Sequence, residues 1–297
     1  MHRIKKDSSK DINIISMGEK ENILIIIFKY LMKLQKINIY TISSVRNHPE
    51  FKKFSLPVRI LRKLLYPLTD IIHVQTNSIK KWYLINTNIE TSKIVKIGNI
   101  SEQNDIKGNT YLQSYRKGFQ ILLIGNKWKQ KGFQYVIDYA NFLEKKEYSL
   151  SQNITFNIFG CSNNKTEEPV FKEITNKNLK PKSIIFHGIK DYQTIFQKKY
   201  DLFLLTSLYE GFPNVLIESI EKGILPIILN YNYGMDEIVG ENYEYLINNK
   251  NIENFNFIFK KALYLNDTEY EQNMIKLKNR LIMYKPEIII KEWLKIL

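Results

Sequence analysis

Two glutamates, Glu210 and Glu218, stand with seven residues between them in the stretch YDLFLLTSLYEGFPNVLIESIEKGILPIILNYNYGMDEIV, Tyr200 to Val239. The stretch reads as a buried strand, a tight loop, a helix, a second buried strand and a polar loop. Gly211 lets the backbone turn sharply, and Pro213 suits the first position of a helix, where its missing N–H costs nothing. The residues that follow would present free amides and the positive end of a helix dipole, a natural cradle for phosphate. Asn214 and Glu218 are four apart and share one face of that helix, where a carboxylate can accept two hydrogen bonds from a vicinal diol such as ribose. Glu210, at the strand end, can do the same for sugar hydroxyls. Spacing alone is weak, because surface acids produce it by chance. The strand, Gly-Phe-Pro turn and helix around it supply the weight.

Those side chains need a scaffold to hold them. With 297 residues, 44% hydrophobic and 25% charged, the chain can form one large or two smaller globular α/β domains. Only 12 residues are glycine, about 4% against a usual ~7%, so each loop glycine is informative. The net charge of +14 favours phosphates, anionic lipid headgroups or nucleic acid. A lysine-rich, solvated surface accounts for it equally well. A nucleic-acid role has no aromatic-basic motif to support it. The single cysteine, Cys161, excludes an internal disulfide and a cysteine-based zinc site, and reads as a buried inert thiol. No signal-peptide pattern opens the chain. The longest apolar run, Ile23–Phe28, is too short to span a bilayer. The expectation is a cytoplasmic protein.

Along the chain, residues 1–11 are polar and expected to fray. Asp11–Ser16 reads as a short buried strand, and Asn22–Gln35 as a largely buried helix whose wet face is Lys29 and Lys33. Ile37–Ser43 is the next strand, ended by the loop to Pro49. Phe54–Leu68 is a basic amphipathic helix. Such a helix can lie on an anionic membrane, but the favoured reading is an ordinary core-facing helix with a lysine-rich outer side. Asp70–Thr76 and Lys93–Ile97 are further strands, with a helix from Ser78 between them. Ser101–Gly118 is polar and aperiodic and reads as a linker.

Strand and helix then alternate again: strand Phe119–Ile124, helix Phe133–Lys146, strand Ile154–Phe159, helix Glu167–Asn178, and strands Ser183–Phe186 and Asp201–Leu205. After the helix from Pro213 come strands Pro226–Leu229 and Tyr243–Ile247, then two closing helices, Thr268–Met283 and Pro286–Ile296. Residues 248–256 read as an Asn-rich loop. Strands separated by helices of this size imply parallel sheets. The fold class is α/β with two Rossmann-like domains: residues 1–105, a linker over 106–118, and residues 119–297 including the closing helices. Ligands of such sheets sit beyond the carboxyl ends of the strands.

The segment TSLYEGFPNVLIESIEKGILPII, followed by YGMDEIV, resembles the donor-site signature of GT-B glycosyltransferases, specifically the large retaining family four. The match runs over Ser207, Glu210, Gly211, Phe212, Pro213, Asn214, Glu218, Gly223, Pro226, Gly234 and Glu237. ILLIGNKWKQKGFQYVIDYA resembles the phosphate loop opening the family's C-terminal domain, through Gly125, Lys131 and Gly132, and IFG at 158–160 and FHG at 186–188 resemble its intermediate strand ends. The resemblance implies that Lys131 holds the donor diphosphate and that Glu218 binds the ribose. It further implies that Glu210, with the amides around Gly211 and Phe212, engages the transferred sugar. Gly188 would let the backbone approach the base, while Gly125, Asn126, Pro213 and Asn214 complete the donor site. His48 falls where the family often carries a histidine facing the donor sugar, although a loop histidine beside proline is ordinarily an exposed polar residue. His2, His73 and His187 read as structural or incidental.

The implied function is transfer of a hexose-type sugar, with retention, from a UDP- or GDP-sugar to a glycan or lipid-linked acceptor. The setting would be bacterial surface-polysaccharide synthesis at the inner face of the cell membrane, with peripheral membrane contact. No metal or other cofactor is implied beyond the nucleotide-diphosphate sugar as co-substrate, and no Asp-x-Asp metal motif occurs. Two departures stand out. The family's phosphate-binding arginine falls on Asn126, a loss of roughly 1.5–3 kcal/mol unless Lys127 or Lys129 replaces it. In the N-terminal half only the later elements of the acceptor domain are recognisable. That domain is therefore expected to be incomplete, with an exposed sheet edge or apolar face. The alternative is a truncated, non-catalytic remnant that binds nucleotide sugar, only folds, or pairs with another chain.

Overall fold

The structure is a computed structural model and describes residues 12–51, 54–101, 118–160, 181–229 and 234–297. The expected helix Glu167–Asn178, Cys161, and the linker up to residue 117 lie outside the described residues. The chain forms two compact units, residues 1–99 with 287–297 and residues 100–286.

Unit 1 carries a four-stranded parallel sheet in the order β1 (Ile12–Met17), β2 (Ile39–Val45), β3 (Ile71–Val74) and β4 (Ile94–Lys96). Helices α1 (Glu19–Leu34), α2 (Leu56–Leu65) and α3 (Asn77–Asn86) connect the strands. Thr76 caps α3, its hydroxyl accepting the Ile79 N–H at 3.3 Å. The core gathers Ile23 and Ile26 from α1, Val45, Ile72 and Val74 from the sheet, and Tyr66, Ile79 and Tyr83. Inside it, the Asn22 amide donates to the Ser44 carbonyl at 3.1 Å and to the Tyr66 hydroxyl at 3.0 Å.

Three expectations fail in this unit. β1 is an edge strand in which only Ser16 is buried. In α1 only Glu19, Asn22, Ile23 and Ile26 are buried, leaving Leu24, Ile27, Phe28, Leu31 and Leu34 in solvent. α2 points inward with Val58, Arg62 and Leu65, and outward with Leu56, Ile60, Leu61 and Leu64. Its outer side is therefore leucine-rich, not lysine-rich. Hydrophobicity says only that a residue gains by burial, and the covering element is a tertiary matter. Among the described residues β1 pairs only with β2.

The last helix, Pro286–Leu294, also departs from expectation. Residues 287–297 pack with unit 1, where the Trp293 ring centre lies 4.5 Å from that of His73 and Asn13 donates to the Leu297 carbonyl. The second domain therefore stops short of that helix.

Unit 2 contains β5 (Phe119–Ile124), β6 (Ile154–Phe159), β7 (Ile184–Gly188), β8 (Leu202–Leu205), β9 (Leu225–Leu229) and β10 (Leu246–Ile247), all parallel. Its helices are α4 (Trp128–Lys131), α5 (Phe133–Lys146), α6 (Tyr148–Ser151), α7 (Tyr192–Phe196), α8 (Asn214–Glu221), α9 (Asp236–Val239), α10 (Ile252–Leu263) and α11 (Asp267–Leu281). The fully buried LFLL of β8 and LPIIL of β9 are the apolar runs that a sheet covered on both faces requires. α10 begins inside the stretch read as an Asn-rich loop. Asn251 is its cap, accepting the Asn254 N–H at 2.8 Å, and Phe255 and Phe259 pack edge-on against Tyr139.

The strand order is β10-β9-β8-β5-β6-β7. The chain leaves β5 toward β6 and β7, then returns to the other side through β8. β5 and β8 therefore flank the point where the order reverses, the place beyond the strand ends where sheets of this kind bind ligands.

Candidate functional site

At that reversal point, the loops after β5 and β8 are tied together. The Thr206 hydroxyl donates to the Lys131 carbonyl at 2.7 Å, the Leu208 N–H to the Gln130 carbonyl at 2.7 Å, and the Gln130 side-chain amide to the Tyr209 carbonyl at 3.3 Å. Gly132, at φ +64°, joins α4 to α5, and a Cβ there would stand 2.1 Å from the Thr206 carbonyl oxygen. Only glycine tolerates both that conformation and that approach.

The result of this stitching is an ion pair. Lys131 Nζ lies 2.8 Å from Glu210 Oε1, with the two side chains only 14% and 10% exposed. The Lys131 stem crosses Gly125 so closely that a Cβ at Gly125 would meet its Cγ at 2.4 Å. Gly125 donates its N–H to the Phe159 carbonyl, and Gly160 donates to the Gly188 carbonyl at 2.8 Å. The ends of β5, β6 and β7 thus come together as a glycine-lined ledge beside one cation and one carboxylate. A cation held over bare backbone suits a diphosphate, and a carboxylate beside it suits hydroxyls.

Gly125, Lys131, Gly188 and Glu210 are thus placed at neighbouring strand ends. Gly211, Phe212 and Pro213 are buried in the loop that leads from Glu210, where Phe212 packs edge-on against Tyr284 at 5.3 Å. Pro213 is the N-cap of α8 rather than its first residue; Asn214 is exposed and Glu218 half-buried one turn further on. Asn126, Lys127 and Lys129 are all exposed, in the loop after β5 and the short helix α4. His48 belongs to unit 1. It is 4% exposed, against the expectation of an exposed loop residue, and its ring accepts the Glu50 N–H at 3.4 Å. Burial pushes its pKa down to about 4. The residues that sequence reasoning passed over are Gln130 and Thr206, which act through backbone carbonyls; Gly160 is read there only as part of the IFG strand end, and its φ of +93° and close approach to Gly125 need the fold to be seen. An open cavity of about 570 Å³ in unit 1, lined by Asn13, Lys29, Lys33 and Tyr40, lies at the amino-terminal ends of β1 and β2. None of the predicted site residues lines it.

Residues 111–280 match the family of glycosyl transferases group 1. The chain belongs to that family. Among curated glycosyltransferases it resembles the amylovoran biosynthesis glycosyltransferase AmsD of Erwinia amylovora, at 25% identity over 300 residues, 99% of this chain and 80% of AmsD. It also resembles the GalNAc-α-(1→4)-GalNAc-α-(1→3)-diNAcBac-PP-undecaprenol α-1,4-N-acetyl-D-galactosaminyltransferase of Campylobacter jejuni, at 25% over 240 residues, 80% of this chain and 63% of that protein. Staphylococcus aureus TarM, in a point-mutant form crystallised with fondaparinux, α-GlcNAc-glycerol and UDP, superposes with a TM-score of 0.70 at 20% identity, over 96% of this chain and 55% of TarM. This likeness establishes the GT-B fold for this glycosyltransferase-family chain. The chain spans little more than half of TarM and under two thirds of the Campylobacter protein.

Proposed function

We propose that this chain is a retaining glycosyltransferase of surface-polysaccharide assembly. It would move a hexose-type sugar from a UDP- or GDP-sugar, without a metal, to a glycan or lipid-linked acceptor. The observation that carries the reading is the Lys131–Glu210 pair at the reversal point of the unit 2 sheet. When the donor enters, Lys131 exchanges Glu210 for the diphosphate, and Glu210 is released to the hydroxyls of the transferred sugar. As the glycosidic bond breaks, negative charge builds on the leaving diphosphate. Lys131 and the amides at the start of α8 oppose that charge, so catalysis is electrostatic. Glu218 takes the ribose, and Gly188 gives the base access to the backbone. The names of AmsD and of the Campylobacter enzyme support a polysaccharide and an undecaprenol-linked glycan as the chemical setting, and the UDP in the TarM crystal supports a uridine donor.

The test is calorimetric titration with UDP- and GDP-sugars followed by donor hydrolysis. Lys131→Ala is expected to lose at least roughly tenfold in diphosphate affinity, and Glu210→Ala to lose turnover. Unchanged binding and hydrolysis in both variants would rule the reading out. The neutral Asn126 in the phosphate loop favours a second reading, a nucleotide-sugar-binding chain without turnover; tight binding with no hydrolysis or transfer would select it.

A further inference from the structure

The outward face of α2 has the wrong chemistry for a surface that meets only water. Leu56 is 65% exposed, Ile60 50%, Leu61 39% and Leu64 63%. Leu56, Ile60 and Leu64 recur every four residues and form one stripe along the helix. Leu68, in the 3₁₀ turn that follows, continues it at 41%. The inward face is already spoken for: Val58 and Leu65 pack on the unit 1 core. Arg62 is buried, paired with Glu19 at 3.4 Å, and its guanidinium stands 5.1 Å from the Trp82 ring centre. The stripe is therefore what remains after α2 has been anchored.

The exposed charges that α2 itself carries are of one sign. Arg59 and Lys63 are exposed beside the stripe, and no acidic residue occurs between Glu50 and Asp70. This separates α2 from the exposed part of α1, whose first turn carries the exposed Glu21. The sign also selects the occupant. A second copy docked through the same patch about a two-fold axis would set Arg59 and Lys63 against their own equivalents. A surface of lipid phosphates neutralises them instead, and its acyl boundary accepts the leucines. The helix has ten residues, too few to span a bilayer but enough to lie in its surface.

We propose that α2 is an interfacial helix that seats unit 1 on an anionic lipid bilayer. Leu56, Ile60, Leu61 and Leu64 enter the boundary between headgroups and acyl chains, and Arg59 and Lys63 lie against the lipid phosphates. The assignment is independent of the donor site.

The test is flotation of the full chain with phosphatidylglycerol-containing vesicles and with pure phosphatidylcholine vesicles, at low and high salt. The chain should float with the anionic vesicles and be released by salt. Arg59→Gln/Lys63→Gln should weaken binding about twentyfold or more, since each basic residue contributes roughly fivefold near such a surface. Ile60→Ser/Leu64→Ser should reduce it comparably at low salt, with both basic residues still in place. Phe257→Ser, at an equally exposed aromatic of unit 2, and Lys131→Ala should float like the unaltered chain, so a failed donor site would leave this result intact. Because every altered α2 residue is exposed, circular dichroism should be unchanged. A tryptophan introduced by Leu64→Trp should be quenched by brominated acyl chains. The proposal is overturned by an unaltered chain that stays soluble with both vesicle types, by α2 variants that float as well as it does, or by a chain that sediments as a dimer which Ile60→Ser/Leu64→Ser dissociates without any vesicle binding.

Discussion

Lys131 Nζ sits 2.8 Å from Glu210 Oε1, 79 positions along the chain, and the pair closes over a ledge of glycine backbone. Neither partner is well hydrated, so each depends on the other for compensation. Removing one leaves a largely desolvated charge, whereas removing both leaves none. Lys131→Met and Glu210→Gln are each expected to destabilise unit 2 by about 1–3 kcal/mol, and the double variant by less than their sum. Urea melts of the four proteins measure this; strict additivity would show that the pair is solvent-screened.

Gly132→Ala should be far more damaging than an ordinary glycine change. The residue is left-handed and its Cβ would collide with the Thr206 carbonyl. A cost above about 2 kcal/mol is expected, with loss of nucleotide binding because the two loops would be forced apart. By contrast, Gly223 has φ +71° but open space around the missing Cβ, so Gly223→Ala should cost only its backbone strain and spare binding. Nucleotide titration of the two variants distinguishes clash from strain.

On the proposed reading, the loop after β5 meets the donor diphosphate with a neutral Asn126 where the family resemblance places an arginine. Asn126→Arg is expected to tighten diphosphate binding roughly tenfold or more, the equivalent of one charge-assisted hydrogen bond. Lys127 and Lys129 follow it in the same loop and the short helix α4, and if either substitutes, Lys127→Ala or Lys129→Ala will weaken binding several-fold. Undiminished affinity in both would show that the protein works with Lys131 alone.

Stability should fall on mild acidification. His73 is 1% exposed, its Nε2–H donating to the Ile97 carbonyl at 2.8 Å while Nδ1 accepts from the Ser44 hydroxyl at 2.8 Å. Burial pushes its pKa down to about 4; the Ile97 carbonyl opposes that shift and the Arg46 charge adds to it. An unfolded histidine titrates near about 6.5, so between those values the unfolded chain binds the extra proton. The stabilisation is complete above about pH 6.5, declines as the pH falls toward about 4, and changes no further below it. One such ring contributes on the order of 3 kcal/mol. Urea midpoints for the unaltered chain and His73→Asn should differ in slope across this window, and identical slopes would assign the acid sensitivity elsewhere. His48, held down by burial as well, should behave in the same direction.

Legibility varied with how local the physics was. β5, α5 and β6 match their expected bounds to the residue, because each is an apolar run or period flanked by polar loops. α10 was missed because its asparagines suggested a loop, yet one of them is the cap that starts the helix. β1, α1 and α2 were expected to be more buried than they are, since an apolar pattern cannot report whether anything covers it.

The sequence by itself determined the parallel α/β class and the family, and it picked out the residues of the candidate site: Glu210, Gly211, Pro213 and Lys131 are tied to short motifs whose turn and capping preferences are local. Only the tertiary structure decided that β5 and β8 are neighbours and that the loops bearing Lys131 and Glu210 are sewn together through Thr206 and Gln130. It also decided that the closing helix packs on unit 1 and that α2 turns its leucines outward. The reason is the same in each case. Strand order, backbone-mediated contacts and the presence of a covering partner arise between segments distant in the chain, and no residue announces them through its own type.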